Sequence, residues 1–552
     1  ARRQRTPNAS PRDEWTGATA LFALLSPVHM PSSPSRAGGL LPAIPLDADA
    51  APPLYDQLYS GLRQRIVAGT LAPGARLAST RAFSVDLGVS RFTVVTAFAN
   101  LIAEGYVTTT RGGGTFVART LPERMMHVGK PSGAKAAKDA RPAARSPAAT
   151  APVLSQRGLA LSAVVITGPR NRTGEPRPFR PRRPPLDCFP FALWSRIVRK
   201  QWRTFQHELL DYGDPAGYRP LRESIAAHVE ATRGVRCTAD QIVVTSGAQQ
   251  ATDILARLLL DPGDPAWIEE PGYLDLRGAL VAAGARLVPV PVDANGIDVE
   301  AGVRLAPDAR VACVSPSHQY PTGATLSASR RFELLAWAEH SGAWIIEDDY
   351  DSYFRYRGRP LPALQRLDAE REPRRGAERV IYVGTFSKTM FPSLRLGYCV
   401  VPDALVDAVA NARAVADRHS PLADQAALAA FIDDGHYDRH LRRVRATCVE
   451  RHEAVQHHVA RSLAGAVTLA PANAGTHVVA WLAREGRGAT PLDVRVSEAA
   501  AEDGMVVFPL SRYYIGPAPH NAVVLGYGGL TPALIASSVK RLARVLERLG
   551  VR

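Results

Sequence analysis

The sequence describes a long, basic chain with enough apolar residues for more than one hydrophobic core. It has 552 residues, of which 46% are hydrophobic and 22% are charged, and its formal net charge is +15. The five cysteines lie far apart without a CxxC pair, which argues against both a zinc site and a disulfide framework.

The charge is distributed unevenly along the chain. Residues 1–185 carry the whole net charge of +15, and residues 186–552 are neutral overall. This distribution is typical of a neutral globular part joined to a part that meets a polyanion.

The first segment, residues 1–50, is predicted to be a disordered or non-native leader. Its apolar run at 17–30 is shorter than the roughly 20 apolar residues that span a bilayer, so we expect no membrane contact. The arginine-rich start before this run also suits a secretory signal peptide. We favour the leader, because the chemistry predicted for the later domains belongs in the cytoplasm.

A helical unit that ends in a hairpin is predicted for residues 51–120. Apolar residues at helical spacing indicate a first helix that stops at Gly69. Ser79 or Thr80 caps a short second helix, and Gly88 closes it with a sharp turn into a third. The residues predicted to face the core are Leu54, Leu58, Leu62, Ile66 and Val67 on the first helix and Val94, Val95, Phe98, Leu101 and Ile102 on the third.

Two helices joined by a tight turn and followed by a glycine hairpin indicate DNA binding, because the second helix of such a pair enters the major groove. Arg91, near the start of that helix, is the strongest candidate for a base or phosphate contact. Arg81 and Arg111 are expected to hold the DNA backbone. The predicted DNA contacts are Arg81, Ser90, Arg91, Thr93, Thr96, Arg111 and Gly113. The bare pattern also fits a small helical packing module with ordinary surface arginines.

The stretch GARLASTRAFSVDLGVSRFTVVTAFANLIAEGYVTTTRGGGTFV resembles the winged helix-turn-helix of the GntR regulators over the whole unit. The resemblance implies that the partner is double-stranded DNA at a promoter or operator. Ala78 stands where the family usually has proline, which removes a rigid turn but no contact group.

Residues 121–178 are predicted to be a basic linker rich in alanine and proline. Few apolar groups are present there to offset the entropy of ordering the chain. Its positive charge suits either a nonspecific attraction to DNA that weakens with salt or a plain spacer.

An α/β domain is predicted for residues 179–552. Apolar, strand-like segments alternate with long helices between residues 241 and 401, which indicates a mostly parallel sheet. Polar residues cluster where the strands end, and open α/β sheets bind ligands at that edge.

Lys388 follows one of these strands, VIYVG, directly. Thr385, Ser387 and Arg395 lie close to it in the sequence, and hydroxyl groups with a guanidinium are typical of a phosphate pocket. A lysine beside such a pocket can form a Schiff base with an aldehyde. Pyridoxal 5'-phosphate is both an aldehyde and a phosphate, so we predict it as the cofactor.

Four further groups fit the rest of that cofactor. Asp348, at the end of a buried strand, is the acidic partner that the pyridine nitrogen needs, and Tyr350 suits the phenolic oxygen. The amides of Ala248 and Gln249 open a helix and suit the phosphate. Tyr273 offers a surface on which the ring stacks. Each feature alone has a common structural explanation, so the prediction depends on their order and completeness.

That order resembles the fold-type I pyridoxal-phosphate enzymes, the aspartate aminotransferase superfamily, over residues 186–552. The resemblance implies a large α/β domain, a smaller C-terminal α+β subdomain, and a homodimer in which Tyr212 reaches the phosphate of the neighbouring subunit. A GntR winged helix followed by this domain is the arrangement of MocR-type regulators, and the chain is identified as a member.

Two functions suit this arrangement. In the first, the aminotransferase-like domain senses an amine or amino-acid-like effector through the Lys388 Schiff base. In the second, the chain is an active aminotransferase with a DNA-binding head. Val524 occupies the place of the arginine that binds the substrate carboxylate in active aminotransferases, and Tyr320 replaces a family asparagine, as is common in MocR-type chains. We therefore expect slow or absent transamination and favour the regulator.

Arg182 stands where the superfamily has a glycine beside the substrate carboxylate. A guanidinium binds carboxylate, sulfonate or phosphate through paired hydrogen bonds. One hypothesis is that Arg182 reaches into the pocket and selects an anionic amine as the effector. The alternative, which the sequence favours, is that Arg182 and Arg183 end the basic linker and point to solvent.

Overall fold

The computed structural model divides the chain into two compact units, residues 1–148 and 149–552, which are described separately below. The described residues are 39–110, 113–121, 154–164, 177–203, 209–356, 358, 361–371, 378–483 and 490–551. The predicted contact Arg111, residues 1–38 of the leader, and residues 122–153 and 165–176 of the linker lie outside this part.

The first unit is three helices and a small antiparallel sheet. In chain order its elements are α1 (Leu54–Val67), β1 (Arg76–Leu77), α2 (Thr80–Asp86), α3 (Arg91–Ala103), β2 (Val107–Thr110) and β3 (Gly114–Val117). The strands lie in the order β1-β3-β2, and β2 and β3 form the predicted hairpin. Ser79 and Ser90 each accept a hydrogen bond from a backbone amide of the helix that follows and so cap α2 and α3.

The buried stripes of this unit are narrower than predicted. Val94, Phe98 and Leu101 of α3 are buried, but Val95 and Ile102 are 43% and 40% exposed, and Val67 of α1 is 47% exposed. Successive helical residues lie about 100° apart, so a residue directly after a core position turns away from the core. The prediction that these three side chains face inward is wrong.

The predicted leader overlaps the first unit. Leu40 pairs with Leu77 in a parallel β-bridge, and Ile44 is buried in the core that α1 and α3 form. Residues 39–50 therefore pack against the winged helix, and a leader boundary at residue 50 is too late.

The second unit begins with a short helix and continues as an α/β domain. The helices are α4 (Gln156–Ser162), α5 (Phe191–Arg203), α6 (Arg219–Arg233), α7 (Ala248–Leu259), α8 (Leu274–Ala283), α9 (Val299–Leu305), α10 (Ala328–Ser341), α11 (Leu364–Ala369), α12 (Val406–Asp417), α13 (Leu422–Asp433), α14 (His436–Ser462), α15 (Leu492–Glu502) and α16 (Pro532–Arg548). The strands are β4 (Ile242–Thr245), β5 (Pro265–Glu270), β6 (Arg286–Asp293), β7 (Gly296–Ile297), β8 (Val311–Val314), β9 (Trp344–Asp349), β10 (Val380–Thr385), β11 (Gly397–Val400), β12 (Val467–Leu469), β13 (His477–Leu482), β14 (Phe508–Pro509) and β15 (Ala522–Gly526).

Eight of these strands form the main sheet, in the order β4-β11-β10-β9-β8-β5-β6-β7. The neighbours from β10 to β6 are parallel, whereas β11 is antiparallel to both β4 and β10. Every residue of β4, β8, β10 and β11 is buried, as expected where helices cover both faces of a parallel sheet. The predicted mostly parallel sheet is confirmed.

The C-terminal part forms the predicted smaller α+β subdomain. Its antiparallel sheet has the order β12-β13-β15-β14 and packs with α15 and α16 around a separate apolar core. Among the described residues, no helix is long and apolar enough to cross a membrane.

Part of the predicted linker is helical. Helix α4 lies within the segment 121–178 and contacts α8 of the second unit. Val164, just beyond α4, lies against Gly278, where a β-carbon would be 3.0 Å from the valine side chain. Residues 154–164 therefore belong to the aminotransferase-like unit.

Candidate cofactor site and DNA-binding surface

A cavity of about 740 Å³ lies at the carboxyl ends of β4, β9 and β10, the edge at which the sequence places its polar residues. It is lined by every predicted cofactor residue that one chain is expected to supply. These residues are Ala248, Gln249, Tyr273, Asp348, Tyr350, Thr385, Ser387, Lys388 and Arg395.

One end of the cavity has the features of a phosphate site. Helix α7 starts there behind Gly247, and no side chain caps its first amides, which include those of Ala248 and Gln249. The guanidinium of Arg395 lies 3.5 Å from where a β-carbon on Gly247 would stand. Gly247 has a φ of 102°, so the turn at this position favours glycine. Ser387 adds a hydroxyl to this end.

Asp348 provides the test of whether the cavity fits pyridoxal phosphate. Its Oδ1 is buried and has no hydrogen-bond partner among the described residues. Burial, followed by the charge of Asp349, raises the pKa of Asp348 to about 7. A buried carboxylate without a partner is costly, and a protonated ring nitrogen supplies the missing donor. The residues present therefore fit the cofactor.

Lys388 lies at the centre of the cavity. Its Nζ donates a hydrogen bond to the carbonyl oxygen of Arg182 at 3.0 Å. Burial, followed by the charge of Arg182, lowers the pKa of the Lys388 amine to about 7. About half of an amine with that pKa is unprotonated at pH 7, and only the unprotonated form attacks an aldehyde.

The rate at which cofactor-free protein takes up pyridoxal phosphate is expected to depend on pH. The rate of covalent attachment should rise through about pH 7, because the pKa of Lys388 is about 7, and should then level off. Stopped-flow absorbance between about pH 6 and pH 10 measures it. A rate that keeps rising to about pH 10, as for an ordinary lysine, would contradict the lowered pKa.

A buried histidine–aspartate pair that was not predicted from the sequence lies beside Tyr350. His318 Nδ1 lies 3.0 Å from Asp351 Oδ2 and 3.1 Å from the Tyr350 hydroxyl. Both members of the pair are buried. The pair fixes the position of the Tyr350 hydroxyl. The only sign of it in the sequence is the histidine of PSHQYPTG.

Among the described residues, no arginine occupies the predicted place of the carboxylate clamp. Val524 is buried and packs with Tyr320 and Tyr513, whose hydroxyls are 2.9 Å apart. Arg182 lines the cavity, with its guanidinium carbon 4.4 Å from the centre of the Tyr273 ring. The alternative in which Arg182 points to solvent is wrong.

Helix α4 and the residues just after it, which lie within the predicted linker, supply part of the cavity wall. Leu161 and Val164 line the cavity together with Leu276, Ala279 and Ala282 of helix α8. These side chains form an apolar part of the wall.

Tyr212 lies outside the cavity of its own chain. Its side chain is 75% exposed, and the guanidinium carbon of Arg418 lies 4.6 Å from the centre of its ring. The prediction that it reaches the phosphate of a neighbouring subunit remains a prediction.

On the first unit, the predicted DNA contacts that the structure describes lie in the first turn of α2, at the start and in the N-terminal half of α3, and in the β2–β3 hairpin. Arg81 and Arg91 are exposed, and Gly113 lies at the tip of the β2–β3 hairpin. The hydroxyl of Ser90 accepts from the Thr93 amide at 3.1 Å, and the Thr96 hydroxyl donates to the carbonyl oxygen of Phe92 at 2.9 Å. Phe92, next to Arg91, is 79% exposed, and it was not predicted as a DNA contact. The only sign of it in the sequence is its place in SRFT, at the start of α3.

Two family models match the chain. Residues 54–117 match the bacterial regulatory proteins of the gntR family, and residues 194–524 match the aminotransferases of class I and II. The probable rhizopine catabolism regulatory protein MocR of Rhizobium meliloti is 40% identical over 498 residues, which cover 90% of this chain and 94% of that protein. The chain belongs to the MocR-type GntR regulators.

Other relatives agree with this. The pyridoxine biosynthesis transcriptional regulator PdxR of Corynebacterium glutamicum is 32% identical to this MocR-type chain over 472 residues, which cover 86% of the chain and 91% of that regulator. The structure of LysN, an α-aminoadipate aminotransferase from Thermus thermophilus, is similar with a TM-score of 0.61 and 27% identity, and covers 67% of this chain and 92% of that one.

These likenesses and the fit of the cavity give the MocR-type chain its cofactor, pyridoxal 5'-phosphate. They also confirm the two predicted folds, a GntR winged helix-turn-helix and a fold-type I aminotransferase-like domain. GntR regulators bind DNA, and the relatives with this arrangement are transcriptional regulators.

Proposed function

We propose that this MocR-type chain is a transcriptional regulator that senses an amine through pyridoxal phosphate held at Lys388. The observation that supports the proposal best is the joint placement of Lys388, Asp348 and Arg395 in one cavity of a chain that also carries a winged helix. The effector is an amine or an amino-acid-like compound, and the response is a change in DNA binding.

The roles of the residues follow from the cavity. Lys388 holds the cofactor covalently, and Asp348 pairs with its ring nitrogen. Arg395, Ser387 and the first amides of α7 hold its phosphate, Tyr350 donates to its phenolic oxygen, and Tyr273 lies beside its ring. When bound, the cofactor supplies an aldehyde carbon that exchanges one amine for another.

The sensing step is an exchange of amines. With the cofactor bound, Lys388 would be released as a free amine as an effector amine replaced it. The exchange would form one C=N bond for each one broken, so it would transfer no electrons and consume no water overall. The lowered pKa of Lys388 favours its release as a neutral amine near pH 7. A titration that follows cofactor absorbance tests this step, and a spectrum that no primary amine changes would contradict it.

The C-terminal arginine expected of an active aminotransferase is not among the described residues that line the cavity. Val524 lies buried among aromatic side chains at the position of the expected carboxylate clamp. An α-amino acid therefore lacks the bidentate grip that orients it for repeated turnover.

Arg91→Ala is expected to weaken specific DNA binding by about 1–3 kcal/mol, because Arg91 is exposed at the start of the helix that enters the major groove. Fluorescence anisotropy on the DNA upstream of the gene, at several salt concentrations, measures the loss. Arg257→Ala, which removes an exposed arginine of α7 in the other unit, is the control. Equal affinity of wild type and Arg91→Ala would remove Arg91 from the interface.

We propose that two chains form a homodimer in which Tyr212 reaches the cofactor phosphate of the partner. The exposure of Tyr212 supports this, since its hydroxyl serves no site in its own chain's cavity. Sedimentation at micromolar concentration should give a dimer, and Tyr212→Phe should lower cofactor affinity about 10-fold, the loss of one charge-assisted hydrogen bond. A monomer that retains the cofactor would contradict the proposal.

A further inference from the structure

Three polar side chains that line the cavity, those of Arg182, Tyr273 and Asp275, form one hydrogen-bonded cluster. Arg182 Nη1 donates to Asp275 Oδ2 at 3.1 Å, and the Tyr273 hydroxyl donates to the same oxygen at 2.6 Å. Arg182 Nη2 is hydrogen-bonded to the Tyr273 hydroxyl. We call Arg182, Tyr273 and Asp275 the effector triad.

The effector triad occupies the groups that a carboxylate ligand needs. A guanidinium grips a carboxylate through two parallel N–H donors, and both terminal nitrogens of Arg182 already have partners inside the triad. The other arginine among the described lining residues is Arg395, at the phosphate end. A ligand carboxylate beside the triad would also meet the like charge of Asp275 at close range.

Two further charged groups, Asp253 and Arg512, do not change this balance. Asp253 lines the cavity but is paired with Arg257, 2.5 Å away on the same helix. Arg512 stacks on Phe508, with its guanidinium carbon 5.3 Å from the ring centre, and does not line the cavity. The Arg182–Asp275 pair therefore leaves the effector end close to neutral.

A neutral hydroxyl group on the ligand matches the hydrogen-bonding groups of the triad and its surroundings. A hydroxyl both donates and accepts, and the guanidinium and carboxylate of the triad lie side by side as donor and acceptor. Tyr320 and Tyr350 add two further phenolic hydroxyls to the wall. Each of these contacts is lost when the ligand carries only methyl groups.

The backbone of Arg182 also indicates a functional side chain. Arg182 has a φ of 68°, in the left-handed region where glycine is unstrained and an arginine is strained. Arg395, at the phosphate end of the same cavity, has a φ of 53°. Strain of this kind persists where the surrounding contacts fix the residue, and it is concentrated at binding sites.

We infer that the effector of this chain is a primary amine that carries hydroxyl groups and no carboxylate, recognised by Arg182, Tyr273 and Asp275. The inference rests on the proposed sensing at Lys388 and narrows it to one chemical class. It replaces the anionic amine that the sequence suggested, because Asp275 neutralises the arginine on which that hypothesis depended.

Three amines on one carbon skeleton test the class with the wild-type protein loaded with cofactor. They are serinol, with two hydroxymethyl groups, serine, in which a carboxylate replaces one of them, and isopropylamine, which has neither. The cofactor absorbance is titrated with each. Serinol is expected to reach half-saturation at a concentration about 10-fold lower than serine or isopropylamine. Serine equal to or tighter than serinol, or isopropylamine equal to serinol, overturns the inference.

Asp275→Asn provides a second test in which the preference should reverse. Without the carboxylate, the Arg182 side chain is left with a positive charge that its neighbour no longer neutralises, so serine should gain about 10-fold relative to serinol. Asp503→Asn, which breaks a similar pair with Arg548 outside the cavity, should leave the ratio unchanged. An unchanged ratio in folded, cofactor-loaded Asp275→Asn contradicts the role of the triad.

Hydroxylamine separates this failure from failure of the proposed function. It reacts with any accessible C=N bond at Lys388, so it should change the spectrum whatever the effector class. A spectrum that hydroxylamine and all three amines leave unchanged contradicts sensing at Lys388 itself. A spectrum changed by hydroxylamine but by none of the three amines counts against the effector class alone.

Discussion

Lys388→Ala is expected to abolish the covalent cofactor, so the purified and reconstituted variant should lose the absorption band near the visible edge. The Lys388 side chain lines the cavity, and the lowered pKa of its amine makes it reactive at neutral pH. Reduction with borohydride followed by peptide mass spectrometry should place the cofactor on Lys388 in the wild type. Lys540→Ala, which removes an exposed lysine of α16, should keep the band.

A band of full intensity in Lys388→Ala that survives gel filtration, together with borohydride fixing the cofactor to another residue, would contradict covalent attachment at Lys388. A colourless wild type after reconstitution would contradict the cofactor assignment as a whole. The two results are distinguishable because the second affects both proteins.

Asp348→Asn is expected to weaken cofactor binding about 10- to 150-fold, the equivalent of about 1.5–3 kcal/mol for a hydrogen bond to a charged group. The buried Oδ1 of Asp348 has no partner among the described residues, so it is available to the cofactor. Equilibrium dialysis of the cofactor measures the loss. Asp253→Asn, at the rim of the same cavity, should change affinity by less than about 2-fold.

The same substitution should stabilise the cofactor-free protein at about pH 8. Burial raises the pKa of Asp348 from 3.8 to about 7, so the ionised carboxylate destabilises the empty fold above pH 7. That penalty decreases as pH falls, because the folded protein takes up the proton first, and it disappears below the unfolded pKa. Denaturant unfolding at about pH 8 and pH 4 should therefore show a gain that is lost at the lower pH. A variant less stable than wild type at both values would contradict this.

Much of the cofactor site follows from the sequence because strand ends are readable. Lys388, Asp348 and Ala248 each follow or end an apolar run, and parallel strands bring their carboxyl ends to one edge. The pairing of Arg182 with Asp275 was not readable, since the two residues are 93 positions apart and the contact depends on how the turn before α5 folds back.

The wrong predictions for α3 and for α4 have different physical causes. Val95 and Ile102 are apolar, but an apolar residue next to a core position is compatible with either face of a helix. Helix α4 has seven residues and no buried side chain, so its own sequence is too weak a signal, and contact with α8 stabilises it.

The most direct test of sensing at Lys388 is whether an amine changes DNA binding through this residue. Anisotropy of labelled DNA from upstream of the gene is measured with wild type and Lys388→Ala, each with and without serinol. We expect serinol to shift the DNA affinity of the cofactor-loaded wild type and to leave that of Lys388→Ala unchanged. An equal shift in both proteins, or no shift in a wild type whose cofactor spectrum serinol does change, would contradict sensing at Lys388.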